Sequence, residues 1–145
     1  MNTVIVDIDG TLADNSHRRH FLQRHEHKDW DSFYAACGAD APIMPVILTV
    51  QALSRFFSVV LCSGRLERCR EDTQVWLAEQ EVPYDQLLLR PEGDFTDDAE
   101  LKRRMLGLLR MEGYEPFLVI DDRQKVVDMW RAEGLVCLQA AKGDF

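Results

Sequence analysis

Short runs of aliphatic and β-branched residues recur along the chain, each stopped by polar or turn-forming positions. Val4-Ile5-Val6-Asp7-Ile8, ending at Gly10, has the character of a strand buried on both faces. The pattern repeats at Val59-Val60-Leu61-Cys62, stopped by Ser63-Gly64, and at Gln86-Leu87-Leu88-Leu89. It returns at Phe117-Leu118-Val119-Ile120, stopped by Asp121-Asp122, and at Leu135-Val136-Cys137-Leu138 after Gly134. Helix-like stretches lie between these runs, over roughly 45–56, 67–80, 97–112 and 124–132, with Gly113 and Gly134 placed as helix stops. Strands alternating with helices predict an α/β fold: a three-layer, Rossmann-like parallel sheet of about five strands with right-handed crossovers. Residues 13–42 break the rhythm, being polar and rich in His and Arg before Trp30, Phe33 and Tyr34. So long a structureless loop would be unusual, so a small helical insert is expected there, after the first strand. The spacing of Trp30, Phe33 and Tyr34 is that of a helix face packed on the core, with a base-stacking platform as the sharper alternative.

Length and composition narrow the class. A chain of 145 residues fits one domain, 1–145, with enough surface buried to hold a core without metal or disulfide staples. The longest apolar stretch, Ile43 to Val50, contains Pro45 and Thr49 and falls far short of the ~20 residues of a membrane span. Cys37, Cys62, Cys69 and Cys137 form no Cys-x-x-Cys pair, which favours reduced thiols and a cytoplasmic location, away from any membrane. Cys62 reads as a buried strand residue. Seventeen Lys and Arg against 25 Asp and Glu give a net charge of −8, which excludes tight duplex binding driven by bulk charge. The charge is unevenly placed: His17–Lys28 and Ser63–Arg70 are locally basic, while acids gather at 92–100 and 121–128.

Three predicted strands end in polar residues of one chemical theme: Asp7-Ile8-Asp9-Gly10-Thr11, Ser63-Gly64-Arg65 and Asp121-Asp122-Arg123. Ligands of open α/β sheets collect at the carboxyl ends of strands, so these endings converge, with Lys102 on the intervening helix. A carboxylate that attacks a dianionic phosphate monoester needs a divalent cation to cancel repulsion, and hard oxygen ligands suit Mg²⁺. Asp7 and Asp121 are placed to hold it, and Asp9 is placed as general acid and base. Gly10 permits a tight turn, Ser63 and Thr11 offer hydroxyls, and Lys102 supplies a fixed positive charge. His17, His20, His25 and His27 have neither a neighbouring cysteine nor His-Glu-x-x-His spacing, so a polar insert surface is expected rather than zinc.

In this order, Asp7-x-Asp9-Gly10-Thr11, Ser63, Lys102 and Asp121-Asp122 resemble the four motifs of haloacid-dehalogenase-type phosphatases over nearly the whole chain. Further residues narrow the resemblance to the 3′-phosphatase domain of polynucleotide kinase/phosphatases. They are Arg18, Gly64-Arg65, Asp98-x-x-x-Lys102, Arg123, Val126-Val127-x-Met129-Trp130 and Gly143-Asp144-Phe145. The resemblance implies Asp7 as nucleophile and Asp9 as acid/base. It implies Mg²⁺ on Asp7, Asp121, Asp122 and the backbone carbonyl of Asp9, and Lys102 on the phosphoryl group with Asp98 orienting that lysine. It places Thr11, Ser63 and Gly64 at the phosphate and Arg18 and Arg65 on the substrate, a phosphorylated 3′ end of nucleic acid or a nucleotide. A Gly-x-x-x-x-Gly-Lys-Ser/Thr stretch is missing, so no kinase domain is expected in this chain. The enzymatic alternative is a phosphatase of mononucleotides or other small phosphometabolites. The non-enzymatic one is a phosphate-binding or receiver-like regulatory domain, although receivers lack Asp-x-Asp-Gly-Thr. The acids Asp94, Asp97 and Asp98 predict recognition of only the terminal one or two nucleotides.

Overall fold

The structure, a computed structural model, describes residues 2–23 and 27–145. Arg24, His25 and Glu26, part of the basic run noted above, lie outside the described residues. Strand β1 (Asn2–Val6) leads into a short strand β2 (Ala13–Asp14), which pairs antiparallel with β3 (Ala41–Pro42). With β1, the strands β4 (Ser58–Leu66), β5 (Gln86–Arg90), β6 (Glu115–Asp121) and β7 (Val136–Gln139) form a five-stranded sheet. Every pairing in it is parallel, and the order is β5-β4-β1-β6-β7. The chain builds outward from β1 on one side, then returns to build on the other. That reversal makes the carboxyl end of β1 the switch point where an open α/β sheet leaves a crevice.

The period-two alternation of the strands explains the three layers. Val4 and Val6 of β1, with Val59 and Leu61 of β4, pack on one face with Ile47 and Val50 of α2 (Met44–Leu53; α1, Trp30–Ala35, lies in the insert). Trp76 and Leu77 of α3 (Arg70–Glu79) complete that layer. Ile5, Val60, Cys62 and Val119 point to the other face. There they meet Leu101, Met105, Leu106 and Leu109 of α4 (Asp98–Met111) and Val126, Val127 and Trp130 of α5 (Gln124–Ala132). Each such aliphatic side chain, moved fully out of water, contributes roughly 1.5–3 kcal/mol, so the sheet is fixed from both sides. The predicted α/β fold is the observed one.

Several boundaries differ from the sequence reading. The region from 67 to 80 divides into a 3₁₀ turn, Glu67–Cys69, and α3. Helix α2 stops at Leu53; beyond it the Phe57 amide bonds back to the Leu53 carbonyl and the Phe57 ring meets Phe117 at 4.9 Å. Strand β4 runs beyond Cys62 to Leu66. Cys62 pairs with Leu88 and Leu66 with Arg90, so β4 fits four steps against two and Ser63-Gly64-Arg65 bulges from the ladder.

Residues 13–42 form a helical insert closed at its base by the β2–β3 pair. It contains a 3₁₀ segment (Ser16–Leu22), α1 (Trp30–Ala35) and a 3₁₀ turn (Cys37–Ala39). Asp29 caps α1 by accepting the Ser32 amide at 3.1 Å and hydroxyl at 2.7 Å. Only Phe33 of the aromatic trio packs as expected. Trp30 is 45% exposed, because this short helix turns the same face partly over a cleft and not wholly onto the core.

Candidate active site

The carboxyl ends of β1, β4 and β6 open into a cleft of about 920 Å³ roofed by the insert. At its floor Asp7 follows β1, while Asp121 ends β6 with Asp122 next to it; all three are buried. Each offers an oxygen such that these ligand atoms lie within 4.8 Å of one another. Among the described residues no other group of acids, histidines and cysteines comes together in this way. Lys102 reaches in from α4 and donates to Asp7 Oδ1 at 2.8 Å and Asp121 Oδ2 at 2.9 Å. Asp121 is oriented further by the Asp122 amide on Oδ1 and by Trp130 Nε1 on Oδ2, at 2.8 and 3.1 Å.

Burial, then the charge of Asp121, push the Asp7 carboxyl well above its ordinary pKa, against the pull of Lys102. Burial also opposes charge on Lys102, but Asp121 and Asp7 outweigh it and hold the ammonium firmly protonated. Asp122 is raised as well, first by burial. Three carboxylates around one ammonium are thus short of positive charge. Hard oxygen donors converging on an open cleft suit a Mg²⁺ ion, and Asp7, Asp121 and Asp122 are the side chains placed to hold it.

Gly10 makes the close approach possible. Its φ of +82° suits glycine, and a Cβ there would stand 2.2 Å from Asp122 Oδ2. The Thr11 hydroxyl is fully buried, 3.2 Å from Asp7 Oδ2 and 3.3 Å from Asp122 Oδ1, so its proton serves the carboxylates instead of reaching outward. Ser63 is also fully buried and accepts the Arg65 amide at 3.1 Å, one residue short of Gly64, which lines the cleft. Gly64 admits Asp98: a Cβ would stand 2.8 Å from Asp98 Oδ1.

Asp9 belongs to a second cluster. Arg18 Nη2 and Arg65 Nη2 each donate to Asp9 Oδ1 at 2.8 Å, and Arg65 Nε to Oδ2 at 3.1 Å. Burial alone would raise Asp9, yet Arg65 and then Arg18 outweigh it and hold its carboxyl below the ordinary value. Behind them stands Asp40, also buried, accepting Arg18 Nε at 2.8 Å and Arg65 Nη2 at 2.9 Å. The His17 ring nitrogen meets Asp40 Oδ1 at 2.6 Å. His20 contacts the His17 carbonyl at 3.1 Å, and His25 lies outside the described residues.

Arg18 and Arg65 are expected on the substrate and Asp98 on Lys102, and the structure places all three otherwise. Arg18 is fully buried, with its donors on Asp9, Asp40 and the Phe33 carbonyl, and Arg65, at the cleft wall, gives its donors to Asp9, Asp40 and the Thr73 hydroxyl. Asp98 pairs with Arg90 and Arg123, because Asp7 and Asp121 draw Lys102 toward the sheet. Asp40 escaped the sequence reading altogether: an isolated acid between two alanines carries no motif.

A parallel sheet whose strand ends deliver an Asp-x-Asp turn, a buried lysine and an acidic pair is the arrangement of haloacid-dehalogenase-type phosphatases. The fold is shared by a haloacid dehalogenase-like hydrolase from Streptococcus pneumoniae, with a TM-score of 0.69 and 15% identity over 97% of this chain and 86% of that one. A class C acid phosphatase from Bacillus anthracis with tungstate bound also has it, with a TM-score of 0.69 and 16% identity over 99% and 67%. The chain belongs to the family of polynucleotide kinase PNKP phosphatase domains, whose model matches residues 1–145. It is 32% identical, with a TM-score of 0.79, to a chain in the structure of a Pnkp1/Rnl/Hen1 complex, and 99% of this chain is matched. A second such structure, of the Pnkp1/Rnl/Hen1 RNA repair complex, gives 32% and 0.78. This chain spans about half the length of those relatives, 47% and 43%.

Proposed function

We propose that the chain is a Mg²⁺-dependent phosphomonoesterase that forms an aspartyl-phosphate on Asp7 and removes 3′-phosphates from polynucleotide ends or nucleotides. One observation carries this reading: a buried carboxylate, Asp7, sits at the cleft floor between two further acids and Lys102, with Asp9 close by in the same cleft. Mg²⁺ held by Asp7, Asp121, Asp122 and the Asp9 carbonyl would supply the positive charge that lets a carboxylate approach a phosphate dianion.

Asp7 attacks phosphorus, the bond to the leaving oxygen breaks, and Asp9 gives that oxygen a proton. Water then attacks the phosphorus of the aspartyl-phosphate, Asp9 takes its proton, and Asp7 is regenerated with release of inorganic phosphate. Held by two arginines, Asp9 is an anion before substrate arrives. The incoming dianion raises its proton affinity, so Asp9 takes up a proton from solvent as substrate binds, gives it to the leaving oxygen, and recovers one from the attacking water. Lys102 opposes the charge that develops on the transferring group, and Ser63 is the proposed hydroxyl donor to it. Asp40, with Arg18 and Arg65, fixes Asp9 and touches no substrate in this scheme.

The substrate reading draws support from relatives within an RNA repair complex. The acids Glu92, Asp94, Asp97 and Asp98 at the cleft favour a grip on only the last one or two nucleotides. Phosphate release with Mg²⁺ from 3′-phosphorylated oligonucleotides, 3′- and 5′-mononucleotides and phosphosugars tests it. Turnover of 5′-mononucleotides or phosphosugars about a hundredfold above any 3′-phosphate would overturn the substrate but keep the chemistry. Sustained turnover itself separates an enzyme from a receiver-like module, which would be phosphorylated once and stop.

A further inference from the structure

We propose that Trp30 and Tyr34 form a platform on which the base next to the scissile phosphate stacks; this rests on the nucleotide-substrate reading above. Of the three tryptophans, Trp76 and Trp130 are buried in the two core layers, while Trp30 remains 45% exposed. Its ring lies on Tyr34 with centroids 5.8 Å apart and planes inclined by 25°. Phe33, buried, braces Trp30 edge-on at 5.8 Å and carries Arg18 at 4.2 Å on its own ring. The platform is therefore tied through Arg18 to Asp9, the proposed acid for the leaving oxygen.

Both aromatic residues line the cleft that holds Asp7 and Lys102. Lys28 lies 5.9 Å from the Trp30 ring and Arg68 5.9 Å from the Tyr34 ring. Flat rings flanked by cations, beside a site built for a phosphate, match a nucleobase on a phosphorylated sugar. An aliphatic or lipid leaving group would gain neither the stacking nor the cation–π contact, and Arg68 keeps its pairing with Asp31 and Glu92 in either case. Phe95, 96% exposed on the loop between β5 and α4, lines the same cleft from the sheet side and offers a face to the preceding base. Stacking tolerates any base, so the platform selects for a nucleotide and not for a sequence.

All three indoles emit, and Trp130 touches Asp121 of the acidic floor, so the Trp30 signal is read as the difference between the protein and its Trp30→Phe variant. In the full-length Asp7→Asn protein, a 3′-phosphorylated dinucleotide is expected to quench that emission. An abasic sugar phosphate should quench it far less, and Trp30→Phe should remove the response. In the active enzyme, Trp30→Leu, which keeps apolar bulk over Phe33, should lower kcat/KM about tenfold more on the dinucleotide than on glycerol phosphate, chiefly through KM. Trp30→Phe should recover most of that loss. Calorimetric binding of the dinucleotide without a change in emission would overturn the platform, as would equal losses on both substrates. The two readings fail separately. Cleavage of 3′ ends with Trp30 unquenched sinks the platform alone, whereas quenching by nucleotides without 3′ cleavage sinks the substrate reading alone.

Discussion

The cluster of Asp7, Asp121, Asp122 and Lys102 sets three carboxylates against one ammonium, whereas the neighbouring cluster sets Asp9 and Asp40 against Arg18 and Arg65. Both are withdrawn from water at the same end of the sheet, yet their proton affinities move in opposite directions. Asp7 is raised by burial and by its acidic neighbours, while the arginines overcome burial and lower Asp9. A buried charge is tolerable only when paired, so the balanced cluster is complete as it stands, with Asp40, Arg18 and Arg65 holding Asp9 in place. The unbalanced one is short of positive charge, a deficit that a bound divalent cation would fill and that would otherwise repel an anionic substrate.

The hardest test of this contrast removes the charge of Asp7. Asp7→Asn is expected to abolish phosphate release while leaving the metal-free fold as stable as before or more so, because one repelling carboxylate is gone. A clear fall in the thermal midpoint would contradict the assignment. Chelation should likewise stop turnover, and restored Mg²⁺ should both restart it and raise the midpoint of the wild-type protein. In Asp121→Asn the same addition should raise it much less. An equal rise in both proteins would place the cation elsewhere.

Asp9→Asn probes the boundary between the clusters. Losing proton transfer to the leaving oxygen should slow turnover roughly 10²- to 10⁴-fold, with a smaller loss for nitrophenyl phosphate, whose leaving group needs no proton. Equal losses on both would leave Asp9 only a role in holding structure or metal. The mildest effect on chemistry and the largest on stability belong to Asp40→Asn. Stranding Arg18 and Arg65 with one carboxylate should destabilise the protein by about 3–5 kcal/mol, read from urea unfolding, with substrate KM changed little. Unchanged stability together with lost activity would move Asp40 into the reacting centre.

The strands, the crossover helices and most of the acidic floor could be read from the chain. Each depends on local pattern: apolar runs stopped by Asp, Ser or Gly, and a rule that sheets gather ligands at strand ends. Even the helical insert was visible as a break in rhythm. What tertiary structure alone decided is where long side chains point once several partners compete. Lys102 and Asp98 stand one helical turn apart, which in an isolated helix would pair them. In the fold the two buried acids of the sheet take the lysine, and Arg90 and Arg123 take Asp98. Arg18 and Asp40, 22 positions apart at the two ends of the insert, meet only because β2 and β3 bring those ends together. Trp30 shares the apolar spacing of a core helix, but whether its face meets core or cleft depends on where the insert sits. Sequence pattern reports which residues share a face; the docking of that face, and the competition among buried charges behind it, exist only in the assembled molecule.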